Sequence, residues 1–162
     1  HPLDPGADQG HHHVAPRHPA SGKGAGDLRY RFQWTAPLMI SRHDSKSIFH
    51  AANVLFRSKD QGKAWYKISP DLTRNDKEKQ EWSGGPITGD NSGVEYYCTI
   101  FAIAESPKKA GVLWAGSDDG LVHVSTDDGK TWKNVTKNIK GLPTWATISC
   151  IEASPHNPAR EK

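Results

Sequence analysis

From Leu28 onward the chain alternates short apolar runs with polar, glycine-rich turns, and no long stretch keeps the 3.6-residue period of an amphipathic helix. The runs that fit strands are 37–41, 47–51, 54–58 and 65–68, then 99–105, 112–116, 121–125 and 132–135, with a last one at 148–153. Short strands at regular spacing with turns between them predict an all-β architecture. Residues 1–27 break the pattern. The stretch HPLDPGADQGHHHVAPRHPASGKGAGD has no Phe, Trp or Tyr and is rich in Pro, Gly and His. It lacks the apolar surface that would offset the entropy of ordering, which predicts a linker or disordered arm.

The strand pattern repeats. Ser41-Arg42-His43-Asp44, Ser106-Pro107-Lys108-Lys109 and Ser154-Pro155-His156-Asn157 each follow an apolar run, TAPLMI, TIFAIAE and TISCIEA. Downstream, Ser58-Lys59-Asp60-Gln61-Gly62-Lys63-Ala64-Trp65 and Ser125-Thr126-Asp127-Asp128-Gly129-Lys130-Thr131-Trp132 share a box, S-x-D-x-G-x-x-W. Ser58 lies 17 residues after Ser41, and Ser125 lies 19 after Ser106. Two independent markers at a nearly constant offset define a repeat of four antiparallel strands, with the box at the turn between the third and fourth. This predicts a β-propeller fragment of about two four-stranded blades plus the first strand of a third. The division is 1–27 for the arm, 28–94 for a blade with a long loop, 95–146 for a second blade and 147–162 for the start of the next.

The box reads as a hairpin staple. Gly62 and Gly129 supply the positive φ of a tight turn. Asp60 and Asp127 suit acceptance of turn N–H groups, with Ser58 and Ser125 adding a hydroxyl. Trp65 and Trp132 open the outer strand with a ring to bury between layers. Structure accounts for every position of the box, whereas acid chemistry needs neither the Gly nor the Trp.

Composition narrows the partners. A mean hydropathy of -0.73, with 15 Gly and 11 Pro among 162 residues, fits a turn-rich chain and not a helical bundle. The net charge of +3 is scattered, with no basic stripe of the kind nucleic acid requires, so no nucleic-acid partner is expected. No apolar run approaches the ~20 residues of a membrane helix, so no membrane partner is expected either. The chain begins at His1 with no visible signal peptide, which reads as a processed product or a fragment. Cys98 and Cys150 match no zinc or redox spacing and read as two buried free thiols; the repeat sets them at different levels of adjacent blades. His11, His12, His13 and His18 could bind a transition metal adventitiously, but they lie in the arm without a rigid scaffold, and neither a metal site nor a cofactor is expected.

The candidate chemistry gathers in the long loop, 69–97. It carries Asp71, Arg74, Asp76, Asp90 and Glu95, with Trp82, Tyr96 and Tyr97 beside them. Carboxylates next to aromatics are what a sugar site uses, since rings stack on pyranose faces and carboxylates bind hydroxyls or act as acid and base. Asp71, Asp76, Asp90 and Glu95 are the catalytic candidates; Trp82, Tyr96 and Arg74 are the ligand-binding candidates. The competing reading of this loop is a solvated polar insertion. A second segment, Gly116-Ser117-Asp118-Asp119-Gly120, reads as a hairpin turn whose Asp and Gly serve backbone geometry. His123 reads as a packed or surface histidine, not a base. Asn134-Val135-Thr136 matches a three-residue glycosylation sequon.

The boxes resemble the Asp boxes of BNR-repeat propellers, found in sialidases, family 74 glycoside hydrolases and sortilin (VPS10) ectodomains. Across residues 30–158 the strings RYRFQWTAPLMIS, LFRSKDQGKAWYKISPDLTRND, GGPITGDNSGVEYYCTIFAIAESP and GVLWAGSDDGLVHVSTDDGKTWKNVT are similar to bacterial sortilin-like or BNR-repeat glycosyl hydrolases. The resemblance implies a module of an exported propeller, secreted or periplasmic, that recognises a glycan or peptide. Two alternatives stand against that expectation: an active glycoside hydrolase using the carboxylates of the 71–95 loop, or a structural propeller without a small ligand. Arg29, Arg31, Arg42, Arg57 and Arg74 fall in no sialidase arginine motif. The expected partners are a glycan or peptide ligand and the remaining blades, or a second copy joined through open edges.

Overall fold

The computed structural model describes residue 26, residues 28–81, residue 87 and residues 96–156. The arm, Trp82, Asp90 and Glu95 therefore lie outside the described residues, apart from Gly26 of the arm. The chain is all-β, and helix among the described residues is limited to short 3-10 turns such as Lys77–Gln80 and Thr136–Asn138.

Strands β1 (Leu38–Ile40), β2 (Ile48–Ala51), β3 (Leu55–Ser58) and β4 (Tyr66–Lys67) form one antiparallel sheet in chain order. Strands β5 (Ile100–Glu105), β6 (Leu113–Ser117), β7 (Val122–Ser125) and β8 (Lys133–Asn134) form a second sheet with the same order. Eight of the nine predicted runs become strands. The ninth, 148–153, does not; only Ala153 forms an isolated bridge. A strand is stable only beside a partner, and this segment instead lays Ile148, Ile151 and Ala153 on the outer face of the second sheet, over Trp114, Val112 and Val122.

The two sheets pack face to face. Phe49, Ala51 and Leu55 of the first meet Ile100, Leu113 and Ala115 of the second, with Leu72 in the same cluster. Each large side chain buried here contributes about 1.5–3 kcal/mol. The outer face of the first sheet is partly covered by its own N-terminal segment, where Phe32 packs with Val54, Phe56 and Trp65. Pairs Ile48↔Ser58 and Leu113↔Ser125 put the sheets in one frame, in which Leu38 corresponds to Ile103 and Asn53 to Asp118.

The passage from one repeat to the next is made the same way twice. Ile100 N donates to Ala52 O at 2.7 Å, and Ile148 N donates to Ser117 O at 3.0 Å. Gly116 permits the second approach, because a Cβ there would stand 2.3 Å from Ile148 Cγ2. Glu105 adds a buried tie between the sheets: one carboxylate oxygen accepts from Ser41 Oγ at 2.8 Å and Arg42 N at 2.9 Å.

Both boxes form the predicted staple. Ser58 Oγ accepts from Gly62 N at 2.8 Å and donates to Asp60, whose Oδ1 accepts from Ala64 N at 2.9 Å. Ser125, Asp127, Gly129 and Thr131 repeat the arrangement at 2.9 Å for each of the three contacts. Trp65 is buried on the outer face of the first sheet. Trp132 instead bridges the sheets, donating from Nε1 to Ile68 O at 2.9 Å. The two cysteines are free, but only Cys98 is buried; Cys150 is exposed. The expectation of two buried thiols fails because 148–153 lies against the second sheet by one edge only and turns Cys150 to solvent.

Candidate functional site

At the end of the sheets opposite the boxes, the β6–β7 turn, the start of the long loop and the segment before Ile148 converge. The turn carries Asp118 and Asp119, which are 4% and 0% exposed. It is a hairpin turn as expected, with Gly120 at φ 86, but its acids are buried and hold neighbouring segments. Asp118 Oδ1 accepts from Thr99 N at 2.9 Å and Oδ2 from Thr99 Oγ1 at 2.8 Å. Asp119 accepts from Ser117 Oγ and, at 2.7 Å, from Arg74 N. Arg74 returns the contact, donating from Nε to Asp119 O at 2.7 Å.

The described part of the long loop is anchored to the sheets at a few points, while Arg74, Asn75, Lys77, Glu78 and Lys79 stay exposed. Leu72 joins the core and Gln80 is buried. Asp71 accepts from Arg31 Nη2 at 3.0 Å, Asn53 Nδ2 at 2.8 Å and Thr73 Oγ1 at 2.6 Å. Arg31 is itself 2% exposed, so Asp71 supplies the counter-charge that its burial demands. Asp76 caps the 3-10 turn by accepting from Glu78 N at 3.1 Å. The described catalytic candidates, Asp71 and Asp76, thus act as acceptors for the chain's own donors. Tyr96 is buried, and Tyr97 is the ring that reaches the site edge.

Trp145 completes the site. Its ring stacks on Tyr97 with centroids 6.4 Å apart. The Arg74 guanidinium lies 4.6 Å from the Trp145 ring centroid and the Lys79 ammonium 4.8 Å. Two cations share one ring, and among the described residues neither meets a carboxylate, the ion pairs there being Arg31–Asp71 and Arg57–Asp128. Close packing fixes Trp145, since a Cβ on Gly120 would come within 3.0 Å of its backbone nitrogen.

Backbone strain gathers here. Five non-glycine described residues have positive φ; Gln61 and Asp128 belong to the boxes, and the other three, Asn75, Cys98 and Trp145, surround this site. A bulky residue such as Trp at φ 67 is an outlier that its surroundings must impose.

Electrostatics follow from burial. Asp118 is raised from 3.8 to about 6, chiefly by burial, against the Thr99 donors that pull it down. Cys98 is pushed up to about 11 by burial and by Asp119 beside it, which makes it a poor nucleophile. Burial lowers His123, and its Nδ1 has no hydrogen-bond partner, so it stays a packed neutral ring. Among the described residues no group of three or more His, Cys, Asp or Glu could hold a metal ion, and no helix is long and apolar enough to cross a membrane.

Sequence reasoning named Arg74 and Asp71 here, and held 116–120 as a second candidate segment while favouring a turn role for Asp118 and Asp119. It missed Trp145, Lys79 and the Arg31–Asn53 support. The one available signal was a tryptophan in the polar stretch PTWAT, where no strand needs a ring. No family model matches the chain, and no curated protein matches it either.

Proposed function

We propose that the chain is a module of an exported BNR or sortilin-like β-propeller, two four-stranded blades and the start of a third, and that it recognises a glycan or peptide ligand. The observation that carries the recognition reading is Trp145 with Arg74 and Lys79 against its ring and Tyr97 beside it. Aromatic faces bind sugar rings or side chains, and unpaired cations select an anionic group on the ligand. The neighbouring carboxylates of Asp71, Asp118 and Asp119 already accept from internal donors. This favours binding over hydrolysis.

The propeller reading is supported by the repeated hand-over at Ala52 and Ser117. It is also supported by the outer face of the first sheet. Leu38 and Ile40 are 68% and 61% exposed, yet Leu38 corresponds to Ile103, which packs against the first sheet. A further blade, or a second copy of the chain, would cover that face.

The test is calorimetry of the 162-residue chain against neutral and acidic glycans and acidic peptides. A ligand whose binding is lost in Trp145→Ala and weakened in Arg74→Gln and Lys79→Gln supports the reading. Binding untouched by all three changes overturns it.

A further inference from the structure

We infer that the seam between the two box hairpins is a second binding site, for a small carboxylic acid with an aromatic or aliphatic body. A cleft of about 400 Å³ opens there, lined by Arg57, Lys59, Asp60, Tyr66, Ile68 and Asp128. That volume suits a small ligand.

The walls are rigid. Trp132 Nε1 donates to Ile68 O at 2.9 Å, and Gly129 packs so closely that a Cβ would be 3.0 Å from the same oxygen. Arg57 lies against the cleft base with its guanidinium 5.4 Å from the Phe49 ring centroid and an ion pair to Asp128 at 2.6 Å. Its Nε is buried with no acceptor. A buried donor without an acceptor is a standing cost, and turning the Arg57 guanidinium toward a ligand oxygen in the cleft would relieve it.

The charges are unevenly committed. Asp128 is held by Arg57, and Asp60 Oδ1 accepts from Ser58 Oγ and Ala64 N within its own box. Lys59 is exposed and has no ion pair among the described residues. On the donor side, the exposed Lys59 ammonium and the Arg57 guanidinium line the cleft together and can hold a single carboxylate. Tyr66, 41% exposed, and Ile68 offer the surface for its body.

The fold itself does not require these residues. In the shared frame, Val124 stands at the position of Arg57, Thr126 at that of Lys59 and Lys133 at that of Tyr66. The second box forms with the same hydrogen bonds and without them. The cationic and aromatic lining is therefore a property of this seam and not of the repeat.

The test follows the Trp132 indole N–H resonance by NMR in the full chain, titrating N-acetylphenylalanine with its neutral amide as the control. The acid is expected to give a saturable shift and the amide none. Lys59→Gln, an exposed change that leaves the sheets intact, weakens binding about threefold, the worth of one exposed ion pair. Asp128→Asn strengthens it by about as much, because it frees Arg57 for the ligand. Equal shifts from acid and amide, indifference to Lys59→Gln, weaker binding in Asp128→Asn, or loss in Trp145→Ala would each overturn the assignment. The last result would move the ligand to the opposite end of the sheets.

Discussion

The two ends of the third strand in each sheet follow different rules. At the box end, β3 and β7 finish in turns that match nearly bond for bond. Gly62 N and Gly129 N reach their serines at 2.8 and 2.9 Å, and Ala64 N and Thr131 N reach their aspartates at 2.9 Å. At the other end the turns diverge. The first sheet turns through Asn53, which bonds Arg31 and Asp71. The second turns through two buried acids, beside a tryptophan held at φ 67. A backbone problem with one good solution is solved twice in the same way. Two adjacent buried acids in one turn, beside a tryptophan at positive φ, have no counterpart in the first sheet, which is the pattern expected of a site.

The largest expected effect tests whether the box end carries the stability. Trp132→Ala removes a ring packed on the inter-sheet core and its bond to Ile68 O, and should cost about 3 kcal/mol in chemical denaturation. His123→Ala, near the other end of β7, should cost under about 1 kcal/mol. Equal losses would break the comparison. A smaller effect separates the two boxes themselves. Gly62→Ala meets only Trp65 at 3.8 Å, whereas Gly129→Ala meets Ile68 O at 3.0 Å, and both positions have positive φ. The first should cost about 1 kcal/mol and the second about 2 kcal/mol.

The site end is sharpened by pH. The raised Asp118 group contributes stability that is fully present below pH 3.8 and is lost as pH rises through about 6. Asp118→Asn places there the residue that the first sheet uses. It should flatten the stability profile across that window by roughly 1–2 kcal/mol and leave the variant the more stable protein at pH 7. Asp127 behaves oppositely: its donors, Thr131 first, lower it to about 2, so its contribution is present above pH 3.8 and is lost as pH falls through about 2. A parallel wild-type and Asp118→Asn profile would show that Asp118 titrates as a solvent-exposed group. The smallest expected effect is Ser58→Ala against Ser125→Ala, each about 1 kcal/mol, and alike if the two staples are equivalent.

Legibility in the sequence followed the range of the interaction. Strand runs and box residues act within a few residues of one another, so their spacing alone displays them. Arg74 and Asp71 were visible as polar residues beside aromatics, but their partners were not. Asp119 lies 45 residues from Arg74, and Arg31 lies 40 from Asp71. Cys150 illustrates the same limit: its apolar surroundings suggested a core position, and only the docking of 148–153 turned it outward.

The sequence by itself determined an all-β chain, the eight strand runs of two equivalent repeats and two box turns, because period, glycine placement and Asx chemistry are local; it did not determine that a ninth run would form no strand. Tertiary structure alone decided that Asp118 and Asp119 are buried, that Trp145 meets Arg74 and Lys79, and that Arg57 faces Asp128 across the seam. Those pairings form between segments brought together by sheet packing, and a solvated turn and a buried clamp share the same letters until that packing removes the water.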